Sequence, residues 1–200
     1  MIFGVLITKN KEDIFSKIYK NEWKPFLEGR DIGAYYIKPI HNWLNYVPNL
    51  LHRPRTQEVF EAKEKLLIQR ITGGSHPLKV AYDDNRNYNK ESINNLILIE
   101  NCDYEAKFIL GLLNSRLINW YYTNKFTNES NLTVNISKEY LSLIPIANVP
   151  KDVQSQLILL VERVLEIKKI NYSAETALIE KEIDQLVYQL YGLTEEEIEI

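Results

Sequence analysis

The chain has 200 residues, of which 45% are hydrophobic, so it can bury one large core or two small ones. Its 24 Lys and Arg against 27 Asp and Glu give a net charge of −3, which argues against a surface that is basic throughout. The single Cys102 excludes an internal disulfide and a cysteine-based zinc site, and from the N-terminal residues we expect neither a signal peptide nor a spanning helix.

Charge is distributed unevenly along the chain. Residues 1–150 carry 19 basic and 16 acidic side chains, whereas residues 151–200 carry 5 and 11. Only the first part therefore suits a polyanionic partner.

The first half of the sequence predicts β-structure. Short runs rich in Ile, Val and Tyr alternate with clusters of Gly, Pro, Asn or Asp. The predicted strands are 3–7, 33–40, 65–71, 78–84 and 95–100. Such runs predict a mixed or antiparallel sheet with long connections.

The period of the apolar residues changes near Tyr104. Phe108, Leu112 and Leu117 fall on one helical face, which predicts a helix lying on the sheet. Residues 143–150 are then expected to form a short strand.

Two apolar stripes in residues 153–167 and 178–191 predict an antiparallel pair of helices. Gly192 is a natural helix stop, and Thr194 with Glu197 predicts a capping box that opens a last short helix. The fold class is predicted to be α+β, with a sheet-based unit in residues 1–150 and a helical region in residues 151–200.

The stretch LLIQRITGG at 66–74 directs polar side chains out of an apolar strand. It is compatible with a plain core strand whose polar end lies at a sheet edge. However, residues 53–90 around it carry eight Lys and Arg against five acids. Arg and Gln match the hydrogen-bonding edges of guanine and adenine, and further Lys and Arg would neutralise phosphates. The region is therefore a candidate DNA-contacting surface.

A nuclease is the alternative that the acidic residues suggest. Glu61-Ala62-Lys63 has the acid-x-Lys spacing that metal-dependent nucleases use to hold Mg²⁺, with Asp31 as the acidic partner upstream. The same residues are equally typical of a short charged helix or turn. The three histidines lack metal-ligand spacing, and no nucleotide-binding or acyl-transfer motif is present.

Five segments, taken together, resemble a known family. Residues 26–37, 52–73, 108–122, 140–146 and 183–200 are similar to the C-terminal target-recognition region of TaqI-like adenine-N6 DNA methyltransferases and of fused type IIG, Eco57I-like restriction-modification enzymes. The segments occur in the family's order over nearly the whole chain.

This resemblance implies a sequence-specific recognition domain for double-stranded DNA that performs no catalysis itself. The parent would be an adenine-specific DNA methyltransferase, with or without endonuclease activity, in the cytoplasm and away from any membrane. Its N-terminal methyltransferase domain would be the protein partner and would bind S-adenosylmethionine, while Mg²⁺ would serve any cleavage. The chain itself has neither the Asn-Pro-Pro-Tyr/Phe loop nor a glycine-rich cofactor turn, so no cofactor, metal or catalytic residue is assigned to it.

In this kind of domain the loops around Gln69 and Arg70 face the major groove, and Gly73 and Gly74 allow close approach of the backbone. The residues that we predict to contact DNA are Arg30, Arg53, Arg55, Gln69, Arg70, Thr72, Lys79, Arg86 and Asn87. Three alternatives remain: half of a type I specificity subunit, an Mg²⁺-dependent nuclease using Glu61 and Lys63, and a structural or protein-binding module built on the helical pair.

Overall fold

The computed structural model describes residues 2–4, 14–52, 54–127 and 134–199. Its strands are β1 Ile2–Phe3, β2 Phe15–Ser16, β3 Lys24–Leu27, β4 Ile32–Gly33, β5 Tyr36–Ile37, β6 Trp43–Leu44, β7 Lys65–Gln69, β8 Ile71–Thr72, β9 Val80–Asp83, β10 Tyr88–Asn89, β11 Ile93–Leu96 and β12 Val134–Asn135. Its α-helices are α1 Gln57–Glu61, α2 Ala106–Asn114, α3 Arg116–Phe126, α4 Lys138–Leu141, α5 Lys151–Ile170, α6 Ala177–Leu190 and α7 Glu195–Ile198. This mixture of helices and mainly antiparallel strands confirms the α+β fold class.

The larger sheet has the strand order β1-β11-β7-β9 and is antiparallel throughout. Its central strand β7 is buried on both faces. Leu66 and Ile68 belong to the core beneath the helices, whereas Leu67 packs with Leu27 and Ile93 on the other face. Burial of both faces explains why this strand is a continuous apolar run instead of an alternating pattern.

The smaller sheet has the order β10-β3-β6-β2, in which β10 pairs with β3 in parallel and the other neighbours are antiparallel. Its core contains Phe26, Leu44, Phe60 and Tyr88. The rings of Phe60 and Tyr88 stack with their centroids 4.6 Å apart. Aromatic packing therefore joins α1 to this sheet.

Several predicted strands differ in detail from the structure. The predicted strand 65–71 ends as β7 at Gln69, and Ile71 begins β8, which pairs with β12 in a separate sheet. Residues 33–40 contain a hairpin of β4 and β5, and Tyr35 turns the chain there with a φ of 65°. The predicted strand 95–100 lies earlier, as β11 at Ile93–Leu96. Of the predicted strand 3–7, residues 5–7 lie outside the described residues.

The predicted helix near Tyr104 is two helices, α2 and α3, that meet at Ser115. The Ser115 hydroxyl donates to the Leu112 carbonyl at 2.7 Å and accepts from the Ile118 N–H at 3.3 Å. One side chain therefore ends α2 and caps α3.

The prediction of a strand in residues 143–150 is wrong. The segment is irregular because its polar groups bond a side chain instead of a neighbouring strand. The Tyr191 hydroxyl donates to the Pro145 carbonyl at 2.7 Å and accepts from the Ala147 N–H at 3.2 Å. Pro145 and Pro150 could not donate to a sheet in any case.

The predicted helical pair and the last short helix are confirmed. A short connection joins α5 to α6, and Arg163 pairs with Glu182 at 3.7 Å between them. Gly192 follows α6 with a φ of 67°, and Thr194 and Glu197 form the capping box of α7. Every helix in the described part of the chain is too short or too polar to cross a lipid bilayer.

The helical pair shares a core with the sheet. Leu157, Val161 and Val164 of α5 belong to the same apolar cluster as Phe108 of α2 and Leu66 of β7. Residues on both sides of position 150 therefore pack together, while the division into two domains at that position stays a prediction.

Candidate nucleic-acid interface

Gln69 is the last residue of the buried central strand. Its N–H donates to the Lys79 carbonyl at 3.0 Å on one side. On the other side it pairs with Ile93 of β11. The next residue, Arg70, leaves the larger sheet and donates its N–H to the Ser92 carbonyl at 2.9 Å. Both side chains are partly exposed where the central strand ends. The neighbouring strands therefore fix the backbone from which these side chains project.

Two cations from distant segments lie beside Gln69. Arg30 and Lys90 line a shallow depression that also includes Gln69 and Ile71. The Glu28 carboxylate lies 2.9 Å from Arg30 Nη2 and 3.3 Å from Lys90 Nζ, so one negative charge faces two positive ones. We call this region the Gln69 edge, comprising Arg30, Gln69, Arg70, Lys79 and Lys90.

The turn that carries Arg30 is held by its neighbours. Glu28 donates its N–H to Asp31 Oδ2 at 2.8 Å, and Gly29 donates its N–H to Ser92 Oγ at 2.9 Å. Lys38 Nζ donates to the Arg30 carbonyl at 2.8 Å. The Arg30 side chain itself is 74% exposed. A fixed backbone with an exposed guanidinium is a suitable geometry for a polar ligand.

Thr72 and Asn135 complete the surroundings of this edge. The Thr72 hydroxyl donates to the Pro77 carbonyl at 2.7 Å and closes a turn in which Gly74 has a φ of 83°. Asn135 of β12 accepts a long hydrogen bond of 3.4 Å from Arg70 Nε. The predicted contact Thr72 thus has a structural hydrogen bond at the base of the exposed turn.

The structure does not gather all the predicted contact residues in one place. Because β7 and β9 are antiparallel, with Lys65 opposite Asp83, Arg86 and Asn87 lie at the other end of the sheet from Gln69. Four residue steps along β7 separate the two ends by about 13 Å. Arg55 lies at this second end as well, since its carbonyl accepts from the Tyr46 hydroxyl, whose ring packs on Tyr88. Arg53 lies outside the described residues.

Asn87 is only 4% exposed, so its side chain lies in the interior. Its Nδ2 donates to Asp83 Oδ1 at 2.8 Å, and its backbone N–H donates to Asp83 Oδ2 at 3.0 Å. Asn87 therefore shapes the turn that exposes Arg86, which has a φ of 57°. A direct contact of Asn87 with DNA would require this side chain to leave Asp83.

A buried ion pair anchors that same turn. Lys65 Nζ lies 2.7 Å from Asp83 Oδ2 and donates to the Phe60 carbonyl at 2.6 Å, and both charged side chains are fully buried. Burial lowers the pKa of Lys65, and the nearby Asp83 carboxylate opposes this shift. Asp83 is thus an internal acceptor and is not available to a ligand.

The carboxylates of the nuclease alternative lie apart. Glu61 is the last residue of α1, and its carboxylate accepts a hydrogen bond from the Tyr88 hydroxyl at 2.9 Å. It also lies 3.6 Å from Nζ of Lys24, which is the first residue of β3. Asp31 lies in the turn after β3, beyond the other end of that strand, and its carboxylate is 3.6 Å from His41 Nε2. Burial, and then the bond to Glu61, raise the pKa of Tyr88. The described ranges contain no group of three His, Cys, Asp or Glu residues that could hold a metal ion.

Sequence reasoning missed Lys90 and Asn135 as neighbours of this edge. Lys90 lies in the basic stretch 53–90, but its proximity to Arg30 depends on the parallel pairing of β10 with β3. Asn135 reaches Arg70 only because β12 pairs with β8. Neither pairing leaves a local signal in the sequence.

The fold and this edge define a class of protein, a mixed α+β domain that presents amide and cationic side chains at the end of a buried strand. Residues 24–146 match the model of the TaqI-like C-terminal specificity domain. Since the match spans more than half of the 200 residues, the chain belongs to this family. The family resemblance predicted from the five segments is confirmed.

A solved structure shares the fold. It is the type IIL restriction-modification enzyme MmeI in complex with DNA, with a TM-score of 0.64 and 12% sequence identity over 98% of this chain and 33% of that chain. The chain thus spans about one third of the MmeI chain. No curated protein matches the sequence significantly.

Proposed function

We propose that this chain is the recognition domain through which a restriction-modification enzyme selects its double-stranded DNA sequence. The observation that carries this proposal is the Gln69 edge, where Gln69 lies beside Arg30 and Lys90 in a domain of a specificity family. MmeI, whose fold is similar, was solved in complex with DNA, which also supports the proposal.

Each part of the Gln69 edge has a chemical role in this proposal. The amide of Gln69 can donate to and accept from adenine N7 and N6, and the guanidinium of Arg70 can donate twice to guanine O6 and N7. Arg30, Lys79 and Lys90 would contact phosphates and fix the register of the duplex. A base contact of this kind contributes about 1–3 kcal/mol of discrimination.

The chemistry that follows recognition belongs to the parent protein. We propose a site-specific adenine-N6 DNA methyltransferase of a type II restriction-modification system, acting in the cytoplasm where its DNA is. S-adenosylmethionine would be held by an N-terminal methyltransferase domain, and Mg²⁺ would serve a fused nuclease where the parent has one. Neither a catalytic residue nor a cofactor ligand is assigned to this chain.

Selection from a pool of randomised duplexes tests the function. We expect one sequence motif to be enriched, and binding to that motif to weaken steeply with added salt because phosphate contacts release counterions. Gln69→Ala should relax one position of the motif, whereas Lys181→Ala, an exposed change on α6, should leave the motif unchanged. Binding that is independent of salt, or a pool without any enriched motif, would contradict the proposal.

A further inference from the structure

The loop between β2 and β3 combines exposed cations with exposed aromatic and apolar groups. Residues 17–24, which we call the basic-aromatic loop, read KIYKNEWK and contain three lysines and one glutamate. Ile18 is 77% exposed and Tyr19 is 61% exposed. Two adjacent large apolar groups are therefore exposed directly beside the lysines of this loop.

The conformation of this loop is held by local hydrogen bonds. Ser16 Oγ donates to the Ile18 carbonyl at 2.8 Å and accepts the Ile18 N–H at 3.1 Å. Trp23 donates its N–H to the Lys20 carbonyl at 3.2 Å, and Glu22 adopts a φ of 67°. The side chains thus project from a defined turn, which lowers the entropic cost of ordering them on a ligand.

The aromatic rings form the base of the loop. The ring of Tyr19 meets Trp43 edge-on, with 4.8 Å between the centroids, and Lys20 Nζ lies 4.2 Å from the ring centroid of Trp23. Within the described ranges, no carboxylate lies at ion-pair distance from Lys17 or Lys20, whereas Lys24 lies 3.6 Å from Glu61. Among the described residues, Lys17 and Lys20 are therefore the cations of this loop that are candidates to bind an external anion.

The position of the loop relative to the Gln69 edge follows from strand pairing. Lys24 begins β3 and Arg30 follows its end, so the loop and the Gln69 edge lie beyond opposite ends of this strand, whose length is about 10 Å. Because β10 runs parallel to β3, the residues before Tyr88, Arg86 among them, share the end that carries Lys24. The length of β3 alone is comparable with the width of the major groove, about 12 Å, so the two features are far enough apart to contact different parts of a duplex.

We propose that the basic-aromatic loop is a second DNA-contact site, which binds the sugar-phosphate backbone of the duplex beside the target sequence. Lys17 and Lys20 neutralise phosphates there, and Tyr19 with Trp43 offers an apolar surface to the deoxyribose rings. The inference rests on the proposed function, because only a protein that binds duplex DNA at the Gln69 edge brings flanking phosphates to this loop. The contact carries no base information and strengthens binding to all sequences alike.

The test compares two double variants of the full chain with matched charge. Lys17→Ala with Lys20→Ala removes the proposed contacts, and Lys151→Ala with Lys181→Ala removes two exposed lysines from the C-terminal helices. Affinity for a labelled duplex carrying the selected motif is measured across salt concentrations. The loop variant should lower the slope of log K against log salt by about 2 and keep the same motif, since each lost phosphate contact removes about 0.9. The control variant should keep the wild-type slope.

A footprint on the wild-type protein provides a measurement that does not depend on mutation. Duplex DNA should protect Lys17 and Lys20 from acetylation while Lys151 and Lys181 remain reactive. A wild-type slope in the loop variant, unprotected loop lysines or a changed motif would each overturn this inference while the proposed function stands. Absence of any salt-dependent binding by the wild-type chain would overturn both.

Discussion

Replacing Lys65 by Met should destabilise the fold substantially, because it leaves the Asp83 carboxylate buried without its counter-charge. Both side chains are fully buried, and Lys65 Nζ supplies Asp83 with a bond of 2.7 Å. Removing one partner of such a pair costs about 3–5 kcal/mol. Asp83 keeps the N–H groups of Asn85 and Asn87 and the Asn87 amide as donors, so we expect the lower end, about 3 kcal/mol. For a domain of this size the melting temperature should fall by about 6–12 °C.

Urea unfolding followed by tryptophan fluorescence measures this cost, with Lys181→Met on the exposed face of α6 as the control. Lys65→Met combined with Asp83→Leu should recover only part of the loss, because Asp83 also accepts the N–H of Asn87. A free energy of unfolding for Lys65→Met within about 1 kcal/mol of the wild-type value would refute the reasoning, since burying an unpaired carboxylate costs more than that.

Three further predictions concern packing, pH and DNA reading. Gly111→Ala should cost about 1–3 kcal/mol in urea unfolding, because its Cβ would lie 2.9 Å from Val161 Cγ2 between α2 and α5. Burial raises the pKa of Tyr122 from 10.0 to about 12, so between these pH values the folded state keeps a proton that the unfolded state loses. The free energy of unfolding should therefore fall as pH rises from about 10 to about 12, and Tyr122→Phe should reduce this fall in urea titrations. Arg70→Ala should relax one base position at about 1–3 kcal/mol, whereas Lys79→Ala should weaken all sequences equally in duplex titrations; equal, uniform losses from both would contradict these roles.

Sequence patterns predicted well the strands whose central residues are apolar. Strand β7 follows directly from its Leu-Leu-Ile run, but β11 was predicted two residues too late because its centre is Asn94-Asn95. Both asparagines are fully buried. Asn95 exchanges hydrogen bonds of 2.7 and 3.0 Å with Asn89, and Asn94 donates to the Ile136 carbonyl at 3.0 Å. A pattern of apolar residues cannot reveal a strand whose interior side chains are amides that bond partners outside the strand.

In the candidate site, too, local sequence predicts some features, whereas others depend on strand pairing. Gln69 and Arg70 were predicted because they directly follow the apolar run Leu66-Leu67-Ile68, a relation that local sequence contains. The proximity of Arg30 and Lys90, and the distance of Arg86 from them, depend on how β3, β10, β7 and β9 pair. Strand register is a non-local property, so residues close in sequence, such as Arg86 and Lys90, lie at different ends of the sheet structure.

The net charge of −3 does not describe the surface that a DNA duplex would meet. Eleven of the acidic residues belong to positions 151–200, and α5, which carries part of this charge, lies over the helical face of the larger sheet through Leu157 and Val161. The Gln69 edge lies at the end of a strand in that sheet, where Arg30 and Lys90 face the single Glu28 carboxylate. Solvent-exposed charges further apart than about one Debye length, about 10 Å at 0.1 M salt, interact only weakly. The charges within that distance, and not the sum over the whole chain, therefore set the potential that a phosphate meets at this edge.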